Sequence, residues 1–209
     1  MPKILFRLSR LPFKLGAQSQ RSIFFILFEV ALAAAFAWPS LVGAQNSVAQ
    51  NMSNFVNMAN ELKELENKLS ADMQKSEDKL ALIQGKVNFF GSIPDFKMLA
   101  NASYPTDAEL VSIENYGDCL ARFRDGLKSI VNKYALPDRS SPYTILIKEL
   151  DDTQSALILL HQRKITYGDY AGRTKKIEET SAAETNAMIL KIAQETKKSK
   201  ADVWQPPFP

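Results

Sequence analysis

The chain has 209 residues, with 26 Lys and Arg against 23 Asp and Glu, one His, one Cys and 45% hydrophobic residues. A single histidine excludes any site that needs two histidine ligands, and a single cysteine excludes an internal disulfide framework. Five of the basic residues and one acid fall within residues 1–44, which leaves 21 basic and 22 acidic residues in the remaining 165, so the positive balance is no footprint for nucleic acid.

Lys3, Arg7, Arg10, Lys14 and Arg21 precede an apolar run from Ile23 to Ala37, and Trp38, Pro39 and a small-residue stretch follow. This is the layout of an export leader, residues 1–44, with cleavage expected after Ala44 in Val42-Gly43-Ala44 and a second candidate at Ala35-Phe36-Ala37. No cysteine stands at either point, which excludes a lipoprotein anchor there. An uncleaved signal anchor is the alternative, since residues 23–44 reach the length of about 20 that spans a bilayer. Glu29 opposes it, because an acid near mid-span costs on the order of 3 kcal/mol. If the segment stays, its basic flank holds the amino terminus in the cytoplasm and the rest of the chain outside. A mitochondrial presequence is a third reading, and the apolar run counts against it. The expected location is a bacterial periplasm or secretion from the cell, with a membrane-anchored domain outside the cytoplasm as the alternative.

Residues 45–200 are expected to form one helical domain. From Val48 to Phe90, side chains recur at alternating steps of four and three: Val48, Met52, Phe55, Ala59, Leu62, Glu66, Leu69, Met73, Ser76, Leu80, Ile83, Val87, Phe90. Only Glu66 and Ser76 interrupt the apolar pattern. The average step of 3.5 predicts a coiled-coil helix from about Ser47 to Asn88, about 65 Å of seam, stopped by Gly91 and Pro94. Thr106-Asp107-Ala108-Glu109 has the capping-box form and opens a second helix, with a stripe from Ile113 through Tyr116, Leu120, Phe123, Leu127 and Ile130 to Tyr134, ended by Leu136-Pro137. A third helix begins at Ser141-Pro142 with the stripe Tyr143, Leu146, Leu150, Thr153, Leu157, Leu160. A fourth opens at Thr166, with Asp169 three residues on, and runs to about Lys200 along a more polar seam of Ile177, Ser181, Thr185, Met188 and Ile192. No strand pattern occurs.

The expected fold is therefore all-α: a long coiled-coil helix plus antiparallel helices in a four-helix, up-and-down bundle. The first helix should exceed the second by more than ten residues. Its part around Val48 to Ala59 should overhang the bundle and serve self-association or a partner. Residues 201–209 form a Pro-rich tail, Val203-Trp204-Gln205-Pro206-Pro207-Phe208-Pro209, suited to an extended shape in a partner's groove or against the bundle.

Between Leu157 and Lys176, the run Arg163-Lys164-Ile165-Thr166-Tyr167-Gly168-Asp169-Tyr170 resembles the hairpin of short C-terminal (SHOCT-type) domains of bacterial proteins. The usual wording there is Gly-x-Ile-Thr-x-x-acid-aromatic followed by a basic residue. Ile165, Thr166, Asp169, Tyr170 and Arg173 or Lys175 fit it. Arg163 stands where that family prefers glycine, and some thirty residues follow where the family ends. The resemblance covers about a tenth of the chain and implies a capped turn and an oligomerising role, with no chemistry.

Catalytic equipment is sparse. Cys119 and His161 are the one nucleophile and base of a possible pair, but Cys119 lies beside the second helix's seam and His161 near a helix end among Gln162, Arg163 and Lys164. Asp151-Asp152 and Glu178-Glu179 are sequence neighbours that point apart on a helix, and both pairs read as exposed faces. No phosphate-cradling glycine loop, metal-ligand spacing or nucleophile elbow occurs, so no catalytic, cofactor or metal residue is assigned. The apolar connection from Phe89 to Tyr104 is either a lid over the bundle end or a docking surface. The partner-binding candidates are Val48, Met52, Phe55, Phe89, Phe90, Phe96, Trp204 and Phe208. The expected partner is a protein or a second copy, with no nucleic acid, and a membrane only through an uncleaved leader. The function read from this is an exported, non-enzymatic coiled-coil protein for assembly or scaffolding of an envelope or secretion machine. The alternatives are a periplasmic helical chaperone, a membrane-acting helical protein and a Cys/His helical enzyme.

Overall fold

A computed structural model describes residues 45–90, 92–134 and 142–203. The helices in chain order are α1 (Gln45–Lys75), α2 (Glu77–Leu80), a 3-10 turn (Ala81–Ile83), α3 (Phe96–Leu99), α4 (Asp107–Lys133), α5 (Pro142–His161) and α6 (Tyr167–Val203). No strand occurs among the described residues, and the protein is an all-α helical bundle.

Each predicted stripe of α4 and α5 faces inward. Ile113, Tyr116, Leu120 and Leu127 of α4 are sealed from solvent, as are Leu150 and Leu160 of α5. A leucine buried this way contributes about 1.5–3 kcal/mol. The capping box opens α4, with the Glu109 carboxylate accepting from the Thr106 backbone N–H at 2.7 Å and from its hydroxyl at 2.9 Å. The same logic opens α6, where Asp169 accepts from the Thr166 N–H at 3.0 Å and its own N–H donates to Thr166 Oγ1 at 3.1 Å.

Cross-helix pairs set an antiparallel order. Asp72 and Glu61 of α1 meet Arg122 and Lys133 of α4, Asp151 of α5 meets Arg124 and Lys128 of α4, and Glu184 of α6 meets Lys148 of α5. The α1 amino end, the α4 carboxyl end, the α5 amino end and the α6 carboxyl end therefore share one end of the bundle.

The first helix is shorter than its sequence pattern predicts. It stops at Lys75, about 46 Å long, and is four residues longer than α4 rather than more than ten. Ser76, one of the two interruptions in the stripe, is the break: its N–H is shared between the carbonyls of Asp72 and Met73, and its backbone (φ −97°, ψ 8°) redirects the chain into α2. Gly85 at φ 75° then completes a turn that a side chain would strain. Leu80, Ile83 and Val87 keep their buried positions, but as knuckles of a folded-back segment. Glu66, the other interruption, is half-buried with its carboxyl raised by burial, against a weaker opposing pull from Lys63.

The segment from Gln84 to Thr106 closes the opposite end. Lys86 pairs with the buried Glu109, and Asn88 Oδ1 accepts from the Thr174 hydroxyl at 2.9 Å, with both residues buried. Backbone N–H groups of Tyr167 and Gly168 donate to the carbonyls of Ser103 (3.0 Å) and Asn101 (2.7 Å). Arg163 fastens the α5–α6 junction, its Nε donating to Pro105 O at 2.9 Å and its guanidinium pairing with Asp107.

Arg163 holds φ 55°, the left-handed conformation for which glycine is suited, at the position where the hairpin it resembles prefers glycine. Arg163→Gly and Arg163→Ala lose the same contacts, and only alanine keeps the strain. Urea unfolding should place the glycine variant about 1 kcal/mol above the alanine variant; equal stability would contradict this.

Candidate functional site

Two helix ends project from the same end of the bundle. Glu61 sits level with the last turn of α4, where its carboxylate accepts from Lys133 Nζ at 2.5 Å and from the Tyr134 hydroxyl at 2.8 Å, so residues 45–60 of α1 continue past α4. Met58 is still buried, and Ser53, Asn54, Val56 and Asn57 before it are exposed. On the other side, Lys148 Nζ meets Glu184 at 3.0 Å only six residues from the start of α5, and α6 runs on to Val203. Residues 191–203 therefore extend past the α5 amino terminus.

The two ends differ in chemistry. Residues 45–60 (Gln-Asn-Ser-Val-Ala-Gln-Asn-Met-Ser-Asn-Phe-Val-Asn-Met-Ala-Asn) contain no formal charge, whereas residues 191–203 carry four lysines and two acids. Asn54, Asn57 and Asn60 line an open groove with Glu61, Lys133 and Tyr134 at the root of the α1 extension. Val56 beside them is 53% exposed. By spacing, Val48, Met52 and Phe55 continue the stripe that Leu62, Leu69 and Met73 carry into the core.

The apolar connection divides into two parts. Phe89 is buried, its ring edge-on to Tyr116 with centroids 5.0 Å apart, and the Phe90 N–H donates to the Tyr116 hydroxyl at 2.6 Å while its ring tilts over Phe123. These two side chains fill the bundle end. Phe96, 85% exposed on α3, and Ile93, 76% exposed, face solvent although Met98 and Leu99 beside them are half-buried. Trp204 and Phe208 lie outside the described residues, as do residues 1–44 with their leader and anchor readings.

Cys119 is buried on the side of α4 that meets α1. Burial raises its thiol, only partly opposed by Arg122, whose guanidinium donates to the sulfur at 3.4 Å. His161 ends α5, half-exposed. A thiol held neutral in this way is a poor nucleophile. Labelling by a thiol reagent at pH 8 should be at least about a hundredfold slower in buffer than in urea, since only opening of the fold exposes the sulfur; equal rates would show an accessible thiol.

The reading of Glu178-Glu179 also needs correction. Glu178 and Glu179 do not both form an exposed face: Glu179 is exposed, but Glu178 is half-buried on the inward stripe of α6, in helical phase with the buried Tyr170, Ala171, Thr174 and Thr185. The same stripe at Tyr167, Tyr170 and Thr174 is the part of the fourth seam that the sequence reading left out; a spacing of three and four from Tyr167 is its signal. Asp152 is exposed, and Asp151 is half-buried between Arg124 and Lys128.

Among the described residues no group of three or more His, Cys, Asp or Glu side chains converges to hold a metal, and no helix is long and apolar enough to cross a membrane. No protein family, curated protein or solved structure matches the chain.

Proposed function

We propose that this is an exported, non-enzymatic helical protein that acts in assembly, pairing the α1 extension with a second copy or with the helix of a partner in an envelope or secretion machine. The observation that carries this reading is the uncharged stretch at residues 45–60, which continues beyond α4 with the stripe of the folded part of α1. An isolated helix of that length is marginal in water, and side-by-side packing of its stripe is what stabilises it. Like copies of an uncharged segment meet without charge repulsion. The export part rests on the basic start and apolar run before Trp38.

Cysteine pairing tests it. In a Cys119→Ala background, Val48→Cys, Met52→Cys and Phe55→Cys should each give disulfide-linked dimers under mild oxidation, while Gln50→Cys, off the stripe, should give few. Equal yields at all four positions, or none, would overturn pairing between copies along the stripe.

A second reading, a chaperone that holds unfolded clients between its arms, is favoured by the departure of both extensions from one end. It requires suppression of client aggregation at stoichiometric amounts, and loss of that effect when residues 45–57 are deleted.

A further inference from the structure

An open groove of about 620 Å³ runs between α5 and α6. The Lys148–Glu184 contact sets their antiparallel register, which brings Asp152 level with Thr180, Ser155 and Ala156 level with Ile177 and Lys176, and Leu159 level with Arg173. All of these residues line the groove, and its two halves differ in charge. Toward the carboxyl end of α6, Lys148 is matched by Glu184, and Asp152 stands one turn away. Toward the lid, Arg173 and Lys176 stand one turn apart on α6, and α5 faces them with no acid from Thr153 to His161. The acids of α6 near them are engaged elsewhere. Asp169 accepts from the Thr166 N–H and hydroxyl at the helix start, Glu179 lies 3.9 Å from Lys175, and Glu178 belongs to the inward stripe. Among the described residues neither Arg173 nor Lys176 forms an ion pair. Ala156 is buried and Leu159 and Ile177 are half-buried, so they form an apolar floor beneath the exposed cations and Ser155.

We propose that the lid-side half of this groove binds the phosphate of a small organic phosphate monoester, either free or as the headgroup of a lipid. Two cations without carboxylate partners match the charge of nearly two that a phosphate monoester carries at neutral pH. Arg173 offers paired N–H donors in a fixed fork and Lys176 a mobile point charge, which together suit an oxyanion approached from the open side. The apolar floor takes the carbon frame next to the phosphate, so an organic phosphate gains contacts that the bare ion lacks. Asp152, at the other half of the groove, sets the limit of the site, because its charge repels a second phosphate there. This site lies on the α5–α6 face and is separate from the α1 extension that carries the assembly reading.

Two measurements on the purified protein at low salt test the site: an NMR titration with glycerol 3-phosphate, and flotation with phosphatidylcholine vesicles made with and without phosphatidic acid. Glycerol 3-phosphate should bind with a dissociation constant of about 1 mM or tighter and shift amide signals of α5 and α6 around Ser155 and Lys176. Arg173→Gln and Lys176→Gln should each weaken binding about tenfold. Ser155→Asp, which places an acid opposite both cations, should abolish it. Lys175→Gln removes the same charge one residue away, outside the groove, and should bind as the wild type does. Binding of glycerol 3-phosphate supports a free ligand, and binding confined to the phosphatidic acid vesicles supports a lipid headgroup, provided that the groove variants lose it. Absence of binding to either probe, or equal losses in Lys175→Gln and Lys176→Gln, would overturn the proposal.

Discussion

Gly168→Val should destabilise the protein by about 3 kcal/mol or more, read as a lowered urea midpoint at unchanged slope. The lid backbone lies directly on the first turn of α6. A Cβ at Gly168 would come within 2.6 Å of Leu99 O and 2.9 Å of Asn101 O, and the Gly168 N–H donates to Asn101 O at 2.7 Å. These are backbone atoms, which cannot swing aside as the end of a side chain can. The lid must lift off α6, and the neighbouring Tyr167–Ser103 hydrogen bond goes with it. Gly126 provides the contrast. A Cβ there would also collide, but with the end of the Leu65 side chain, so Gly126→Ala should cost about 1 kcal/mol or less. Near-equal losses for Gly168→Val and Gly126→Ala would contradict this assignment of roles.

The second large effect is at Tyr116, fully buried and joining the lid to the core. Tyr116→Ala should cost about 3–5 kcal/mol through the cavity it leaves beneath Phe89. Tyr116→Phe keeps the ring against Phe89 and removes only the hydroxyl that accepts the Phe90 N–H at 2.6 Å. It should cost about 1–3 kcal/mol, the usual penalty for a part-buried donor left without its acceptor. Hydrogen exchange at the Phe90 amide separates the two causes, because it should quicken in Tyr116→Phe by more than global stability explains. Unchanged protection at that amide would show that the hydroxyl does not hold the lid.

The helices that the sequence described well are those with a single core to face. α4 and α5 each pack between two neighbouring helices, so each three-and-four spacing maps directly onto burial; Thr106 and Thr166 mark starts that local hydrogen bonding enforces, and Pro142 stands at the first helical position, where its missing N–H costs nothing. The first helix misled because apolar periodicity persists where the helix does not. Leu80, Ile83 and Val87 meet the same core from a folded-back turn, and a stripe reports which residues are buried, not whether the rod between them is continuous. Ser76 and Gly85 held the missing information as a polar interruption and a glycine where the chain turns left-handed. Glu178 was misread for another reason. Adjacent acids do point apart, but which of the two points inward depends on the helix phase fixed by Tyr170 and Thr174. At the candidate interaction surface, the spacing carries the stripe into Val48, Met52 and Phe55, but the expected excess of more than ten residues over the second helix shrinks to four. The division of the lid into buried Phe89 and exposed Phe96 was not legible, because it depends on contacts with Tyr116 and Phe123 far along the chain.

Light scattering across a concentration series on residues 45–209 tests most directly whether the α1 extension mediates assembly. We expect a mass of two or more chains for the wild-type sequence, falling to one chain when Val48→Glu and Phe55→Glu place charge on the stripe. A single-chain mass for the wild-type sequence at every concentration, or an assembly indifferent to those two substitutions, would contradict it.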